Sequence, residues 1–207
     1  MKFAIRIAAA LGAVAALAAA AAAAPVTYAF NKVHTEVGFE VRHFFAKVHG
    51  RFNDFDGTIV YDDANPANIA VDGTVQTKSV WTNNENRDAD LRSPHFFAAD
   101  SFPTLHFKST RVEPAGKDKY RITGDLTMRG VTHPVTFDAE YMGAGTVGTS
   151  GGSPVVKAGF SATATVNRKD WGISWNKVLD NGSLMLGDDV TILLNVEADK
   201  APDKPKP

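Results

Sequence analysis

Apolar and polar residues alternate with a period of two along most of this chain. The one long stretch that departs from the pattern, Trp81–Phe107 (WTNNENRDADLRSPHFFAADSFPTLHF), sets the terms for the fold. Strict alternation marks strands with one buried face. From Tyr28 to Phe45, Val33, Thr35, Val37, Phe39 and Val41 share one face, and His34, Glu36, Gly38, Glu40 and Arg42 the other. A second strand runs from Val48 to Tyr61, interrupted at Asn53-Asp54, with a bend or bulge at Gly57. After the turn cluster Asp62–Asn68, a third alternates through Ile69, Val71, Gly73 and Val75.

Beyond the irregular stretch, Leu105 and Phe107 open a fourth strand that ends near Val112. A hairpin turn at Pro114–Asp118 leads to Ile122, Gly124, Leu126 and Met128. The dipeptide Arg129-Gly130 makes a tight reversal into Val135, Phe137, Ala139 and Tyr141. The glycine-rich segment Gly143–Pro154 is read as a flexible hairpin connection. It lacks the Lys-Ser/Thr and the helix start of a phosphate-cradling loop. Val156, Ala158, Phe160, Ala162, Ala164 and Val166 form a seventh strand. A turn from Asn167 to Lys177 separates it from the last, Val190, Ile192, Leu194 and Val196.

Eight strands, mostly hairpin-linked and without βαβ alternation, predict an all-β, eight-stranded antiparallel up-and-down barrel, which leaves no free edge. The departing stretch places a short helical insertion, from Asn83 to Arg92, between strands 3 and 4. Phe96, Phe97 and Phe102 follow it, as expected of a lid over an apolar space or a plain cap on the barrel end. At eight strands the interior is either filled by side chains or just wide enough for one small ligand. Ala158, Ala162 and Ala164, with Gly73, favour a hollow interior, although small residues also serve ordinary taper packing.

The N-terminus fixes the expected compartment. Lys2 and Arg6 precede the uncharged, Ala-rich run Ile7–Ala24, which ends in small residues suited to signal peptidase. Residues 1–24 are therefore read as a signal peptide that directs the chain to the periplasm, residues 25–199 as one barrel domain, and residues 200–207 as a disordered tail. Without the leader the chain has 20 basic and 23 acidic groups, a net charge of −3, and no basic cluster to attract nucleic acid. The absence of cysteine excludes disulfides, a thiol nucleophile and a Cys-type zinc site. The six histidines are dispersed, so no metal site is predicted. No Gly-x-Ser-x-Gly elbow is present, and the pairs Asp62-Asp63 and Asp188-Asp189 read as turn or strand caps, so no catalytic residue is assigned.

Five motifs in order resemble the YceI-like family of exported proteins over Tyr28 to about Asp199. They are the opening strand Tyr28-x-Phe30-Asn31-x-x-His34-Thr35-x-Val37-x-Phe39-x-Val41-x-His43, then Val48-x-Gly50-x-Phe52 through Phe55-x-Gly57. The most specific part is Asn86–Pro94 with Phe96-Phe97, continued by Phe102-Pro103-Thr104-Leu105-x-Phe107-Lys108-Ser109. Gly124–Thr132 with Pro134-Val135, and Asn167-Arg168-x-x-Trp171-Gly172, complete the set. Asn31, Thr35 and Trp171 stand where that family often has Asp, Ser and Phe. The resemblance implies a lipocalin-like barrel with an apolar cavity that holds polyisoprenoids or other long-chain amphiphiles, without known catalysis and without a cofactor.

By alternation the expected cavity wall is Phe39, Val41, Phe52, Val75, Leu126, Phe137, Phe160, Ala162, Ile192 and Leu194. Trp81, Leu91, Phe96, Phe97, Trp171 and Trp175 are expected at a mouth or lid. Arg87 suits an anionic head group through bidentate hydrogen bonds, or a structural clamp on the crossing. His43, in phase with Phe39 and Val41, is a second head-group candidate. The expected role is a carrier of an isoprenoid, quinone or fatty-acid derivative, with a homodimer left open. An enzyme acting on an amphiphile and a filled barrel serving as an interaction module are the rival readings.

Overall fold

The computed structural model describes residues 24–148, 152–180 and 182–202. Except for Ala24, the expected signal peptide lies outside these residues, as do residues 203–207 of the expected tail. Three broken strands come first. β1 (Val26–Phe30) and β2 (Glu36–His43) are halves of one. β3 (Ala46–Phe52) and β4 (Phe55–Tyr61) are halves of the next, and β5 (Ala70–Gln76) and the two-residue β6 (Val80–Trp81) of the third. Helix α1 (Glu85–Arg92) follows. Five unbroken strands complete the chain: β7 (Thr104–Gly116), β8 (Lys119–Met128), β9 (Val131–Val147), β10 (Val155–Asn167) and β11 (Leu186–Lys200).

All neighbouring pairs are antiparallel, and the ring β1-β4-β5-β7-β8-β9-β10-β11 closes by β11 pairing back to β1. This is the predicted eight-stranded barrel. Toward the end that carries α1, β2 replaces β1 beside β11, and β3 and β6 continue the sheet outward.

The breaks carry information that alternation alone does not. Tyr28 and Phe30 face the interior at even positions, whereas Val37, Phe39 and Val41 do so at odd ones. Residues 31–35 therefore invert the phase. Within the break, the Asn31 side chain accepts from the N–H groups of Val33 and His34 and donates to Asp199 at 3.0 Å. Val33, expected on the inner face, is 84% exposed because it lies in this turn. Asn53-Asp54 inverts the second strand in the same way, from Phe52 to Phe55.

One further expectation is corrected. The connection predicted at Gly143–Pro154 is shorter, since β9 runs to Val147 and pairs Val147 with Val155. Residues 149–151 of that connection lie outside the described residues. The turn from Asn167 contains a 3-10 turn, Arg168–Trp171, capped by the Asn167 side chain and ended by Gly172 at φ 72°. The reversal at Arg129-Gly130 has φ 51° and 73°, the left-handed pair that a two-residue hairpin requires.

Buried side chains form two clusters along the barrel axis. One, around Leu126, Phe137, Trp171 and Leu186, sits toward the α1 end. The other, around Tyr28, Tyr61, Tyr120 and Ala198, sits at the far end. Phe107 and Leu194 border both. Several rings lie flat on the wall rather than across the lumen. A Cβ added at Gly124 would overlap the Phe107 ring, and one added at Gly50 would overlap that of Phe39. Glycine at these positions lets the aromatic settle over a neighbouring strand's backbone.

Candidate functional site

An apolar tunnel of about 610 Å³ runs along the barrel. That volume falls in the usual range for a small-molecule site. All ten side chains expected in its wall border it: Phe39, Val41, Phe52, Val75, Leu126, Phe137, Phe160, Ala162, Ile192 and Leu194. Alternation also accounts for Val37, Leu105, Phe107, Ile122, Val190 and Val196, which border it at the same phases. Asp56, Thr74, His106, Glu140 and Ser161 border it as well, but strand phase turns their side chains to the outer face.

Tyrosines close the far end. The Tyr61 and Tyr120 hydroxyls are 3.0 Å apart, and the Tyr61 ring stacks on Tyr141 with centroids 4.2 Å apart. Burial, then the Tyr120 hydroxyl beside it, pushes the Tyr61 hydroxyl far above the ordinary phenol range, and burial raises Tyr141 too. Both stay neutral, and the Tyr61 hydroxyl also donates to the Asp63 carboxylate at 3.4 Å, so this floor is polar.

The crossing between β6 and β7 supplies the other end. Asn84 caps α1 by accepting from the Arg87 N–H at 3.0 Å. Asn86, Arg87, Asp90 and Leu91, on one face of the helix, border the tunnel together with Phe96 and Phe97. Phe97 meets Phe52 edge-on at 5.5 Å, and Phe96 leans on Trp175 at 5.5 Å. His43 borders the tunnel from the end of β2, beside Leu186 at the start of β11 and Met185 just before it.

Arg87 is clamped where it stands. Its Nε donates to the Thr82 hydroxyl and its Nη2 to the Thr82 carbonyl oxygen, each at 2.7 Å. Thr82 passes the polarity on, donating its own N–H and hydroxyl to the buried Asp88 carboxylate at 2.8 and 2.5 Å. Among the described residues Arg87 makes no ion pair, although it borders the tunnel. Its clamp therefore leaves Nη1 as the guanidinium nitrogen without a protein acceptor among them.

Two of the expected mouth residues lie elsewhere. Trp81 is on the outer face, 40% exposed, with the Arg51 guanidinium 4.6 Å from its ring centroid. Being in β6, it takes the phase opposite to the buried Val80. Trp171 is buried behind the wall, its Nε1 donating to the Leu126 carbonyl oxygen at 3.2 Å. It anchors the 168–175 turn to β8 and leaves Trp175 to reach the tunnel.

Arg168, which the alternation pattern does not mark as a site residue, is the residue that organises this turn. It is almost wholly buried. Its Nε donates to Gly187 O at 2.9 Å, its Nη1 to Ile173 O and Trp175 O at 2.6 and 2.9 Å, and its Nη2 to Asp188 at 3.1 Å. Asp188 is held below the ordinary carboxylate range by the Lys169 ammonium, with Arg168 adding to it. Asp62 has the capping role expected of it, accepting from Asn65 N–H and the Asn68 amide. Among the described residues no three His, Asp or Glu side chains gather as a metal would require. No helix among them is long and apolar enough to cross a membrane.

A closed antiparallel barrel with an apolar lumen and a helix-bearing crossing at one end places this molecule among the hollow, lipocalin-like barrels. Within that class the chain belongs to the YceI-like family, whose domain matches it over residues 28–198. A UPF0312 protein of Pseudomonas paraeruginosa is 40% identical over 165 residues, 79% of this chain and 81% of its own. The Campylobacter jejuni YCEI protein, solved in a crystal with large solvent channels, is 31% identical, with 83% of this chain and 96% of its own covered and a TM-score of 0.65. A polyisoprenoid binding domain from Saccharophagus degradans, implicated in plant cell wall breakdown, shares the fold at 12% identity and a TM-score of 0.56, covering 85% of this chain and 99% of its own.

Proposed function

We propose that this protein is a periplasmic carrier that sequesters a long-chain amphiphile, an isoprenoid, quinone or fatty-acid derivative, inside its barrel. The observation that carries the reading is the tunnel: one apolar lumen of about 610 Å³, continuous from a polar mouth to a tyrosine floor. Such a space binds by burial. Each methylene withdrawn from water contributes about 0.8 kcal/mol, so a five-carbon isoprene unit contributes on the order of 4 kcal/mol before ordering costs. Two or three enclosed units suffice for useful affinity.

The head group is assigned to the mouth, where Arg87, Asn86 and His43 offer donors to a phosphate, carboxylate or carbonyl oxygen. The polyisoprenoid-binding character of the Saccharophagus degradans domain supports a ligand of this chemistry. The reading is of binding without catalysis. The bordering groups with displaced titration are Tyr61 and Tyr141, raised away from neutrality, and Arg168, which is spent on carbonyl oxygens and Asp188. None of them is poised as a general base near pH 7. The N-terminal run Ile7–Ala24 supports export.

The test is organic extraction of the folded protein followed by mass spectrometry, with titration by a fluorescent fatty-acid or isoprenoid probe. A stoichiometric apolar ligand, or saturable probe binding, is expected. A protein that is empty as isolated and binds no probe of either class sinks the reading.

A further inference from the structure

The most exposed large hydrophobic residue among those described is Phe45, at 96%. It lies at the tip of the β2–β3 hairpin, where His43 pairs with Ala46 across a two-residue turn made of Phe44 and Phe45. Phe44 has φ 52°, a left-handed conformation that such turns ordinarily give to glycine or asparagine. A bulky residue there is strained, so the turn holds two phenylalanines at some cost in backbone energy.

The tip is not isolated. The Phe44 N–H donates to Met185 O at 2.8 Å, and the Arg42 guanidinium reaches Phe44 O and Leu184 O. These bonds hold it against a second tip, closed by the Val178–Leu184 bridge. Val178 is 64% exposed and Leu184 37%. Both tips adjoin the mouth, because His43 and Met185 themselves border the tunnel.

We infer that these two tips dock the mouth of the barrel onto an anionic phospholipid surface, with Phe45 inserted into the headgroup–acyl boundary. This rests on the carrier reading, since a membrane is where an apolar ligand enters or leaves. Charge favours a lipid surface over a protein partner: Arg42 and Lys177 flank the apolar side chains against Asp180 on the tips, and Lys47 pairs with Glu40 just behind them, which leaves the tips net positive. Aromatic side chains set among cations are the chemistry of peripheral attachment to anionic lipid. Shape favours it too. A few side chains on two convex tips offer far less than the roughly 800 Å² per partner of a stable protein interface, yet they suffice to anchor reversibly in a bilayer.

The experiment is flotation of the mature protein with mixed phosphatidylcholine–phosphatidylglycerol vesicles, comparing wild type, Phe45→Ser and Phe45→Trp. Phe45 does not border the tunnel, so a soluble fatty-acid probe in vesicle-free buffer reports ligand binding separately. Wild type is expected to float with the vesicles and F45S to partition about tenfold more weakly. F45W should float like wild type, with blue-shifted emission on the vesicles, and probe affinity should be the same in all three. Wild type that stays with the soluble fraction, or F45S that floats as well as wild type, overturns the proposal. So does sedimentation showing a wild-type dimer that F45S converts to monomer without any vesicle binding, which assigns the tips to a second copy of the chain. Failure of every variant to bind the probe defeats the carrier reading alone, because flotation is read without it.

Discussion

Arg168 shows how one side chain can set the shape of a site it hardly touches. Buried with three carbonyl oxygens and Asp188, it draws residues 168–175 against the start of β11 and so places Trp175 at the tunnel. Burial lowers its pKa from the ordinary guanidinium value, but it remains charged at any physiological pH. Its counter-ion therefore matters. Asp188 is depressed by Lys169 and Arg168, so its stabilisation is complete above the unfolded carboxylate value of about 3.9 and is lost as pH falls through the lower folded value. Asp188→Asn should cost about 1–2 kcal/mol at pH 7, less than a fully buried pair because Asp188 is partly exposed. The difference from wild type should shrink in acid, as the wild-type carboxyl protonates. Urea denaturation across pH 2–7 checks this, and a gap that persists unchanged in strong acid removes Asp188 from the account. Arg168 stands within the Asn167–Gly172 motif, but nothing in alternation singles out an arginine in a turn. Its importance arises from carbonyl groups brought together only by folding.

Among the elements, the crossing and the three broken strands depend on each other. Each break inverts strand phase, so β2, β3 and β6 can carry the sheet past the level of β1, β4 and β5 and meet α1 at the mouth. Alternation found the inner face of β2, β3, β5 and the five unbroken strands, where period two survives, but not that of β1, whose Tyr28 and Phe30 lie before the first break. It misjudged Val33, and the reading of the crossing as a lid misplaced Trp81, because phase beyond a break is set by pairing with neighbouring strands, which no single run records. The two tryptophans of the 168–175 turn illustrate the same limit, since a turn has no period to tell Trp171, behind the wall, from Trp175, at the tunnel. Helix α1 has little apolar surface of its own and is tied down by polar groups instead. Thr82 accepts from Arg87 and donates twice to the buried Asp88, so one hydroxyl joins the crossing to the helix. Thr82→Val should leave Asp88 and Arg87 each short of a partner and destabilise the protein by about 1–3 kcal/mol. Hydrogen exchange should quicken across residues 82–103 more than in β8–β10, and release of a bound probe should quicken with it. Uniform exchange throughout the barrel, with release unchanged, would separate the crossing from ligand exit.

At the scale of the whole molecule, a hollow barrel sets two requirements against each other. A closed sheet gains stability by filling its centre, and a carrier must leave it open. This chain resolves the conflict by setting small residues where strands face the lumen and folding rings onto the wall over glycines. Ala162 on β10 pairs with Ala139 on β9, and both border the tunnel, as does Leu194 on the other flank of Ala162. Ala162→Phe therefore separates folding from binding. In a filled core the added ring would overpack and cost about 1–3 kcal/mol. In an open tunnel it finds room, loses its contact with water, and leaves stability equal to wild type or higher. The same ring occupies the space an amphiphile needs, so probe binding should fall at least tenfold while the urea midpoint holds or rises. A variant that loses both stability and binding indicates a tunnel already near capacity, and one that keeps both indicates that the ligand lies outside the barrel.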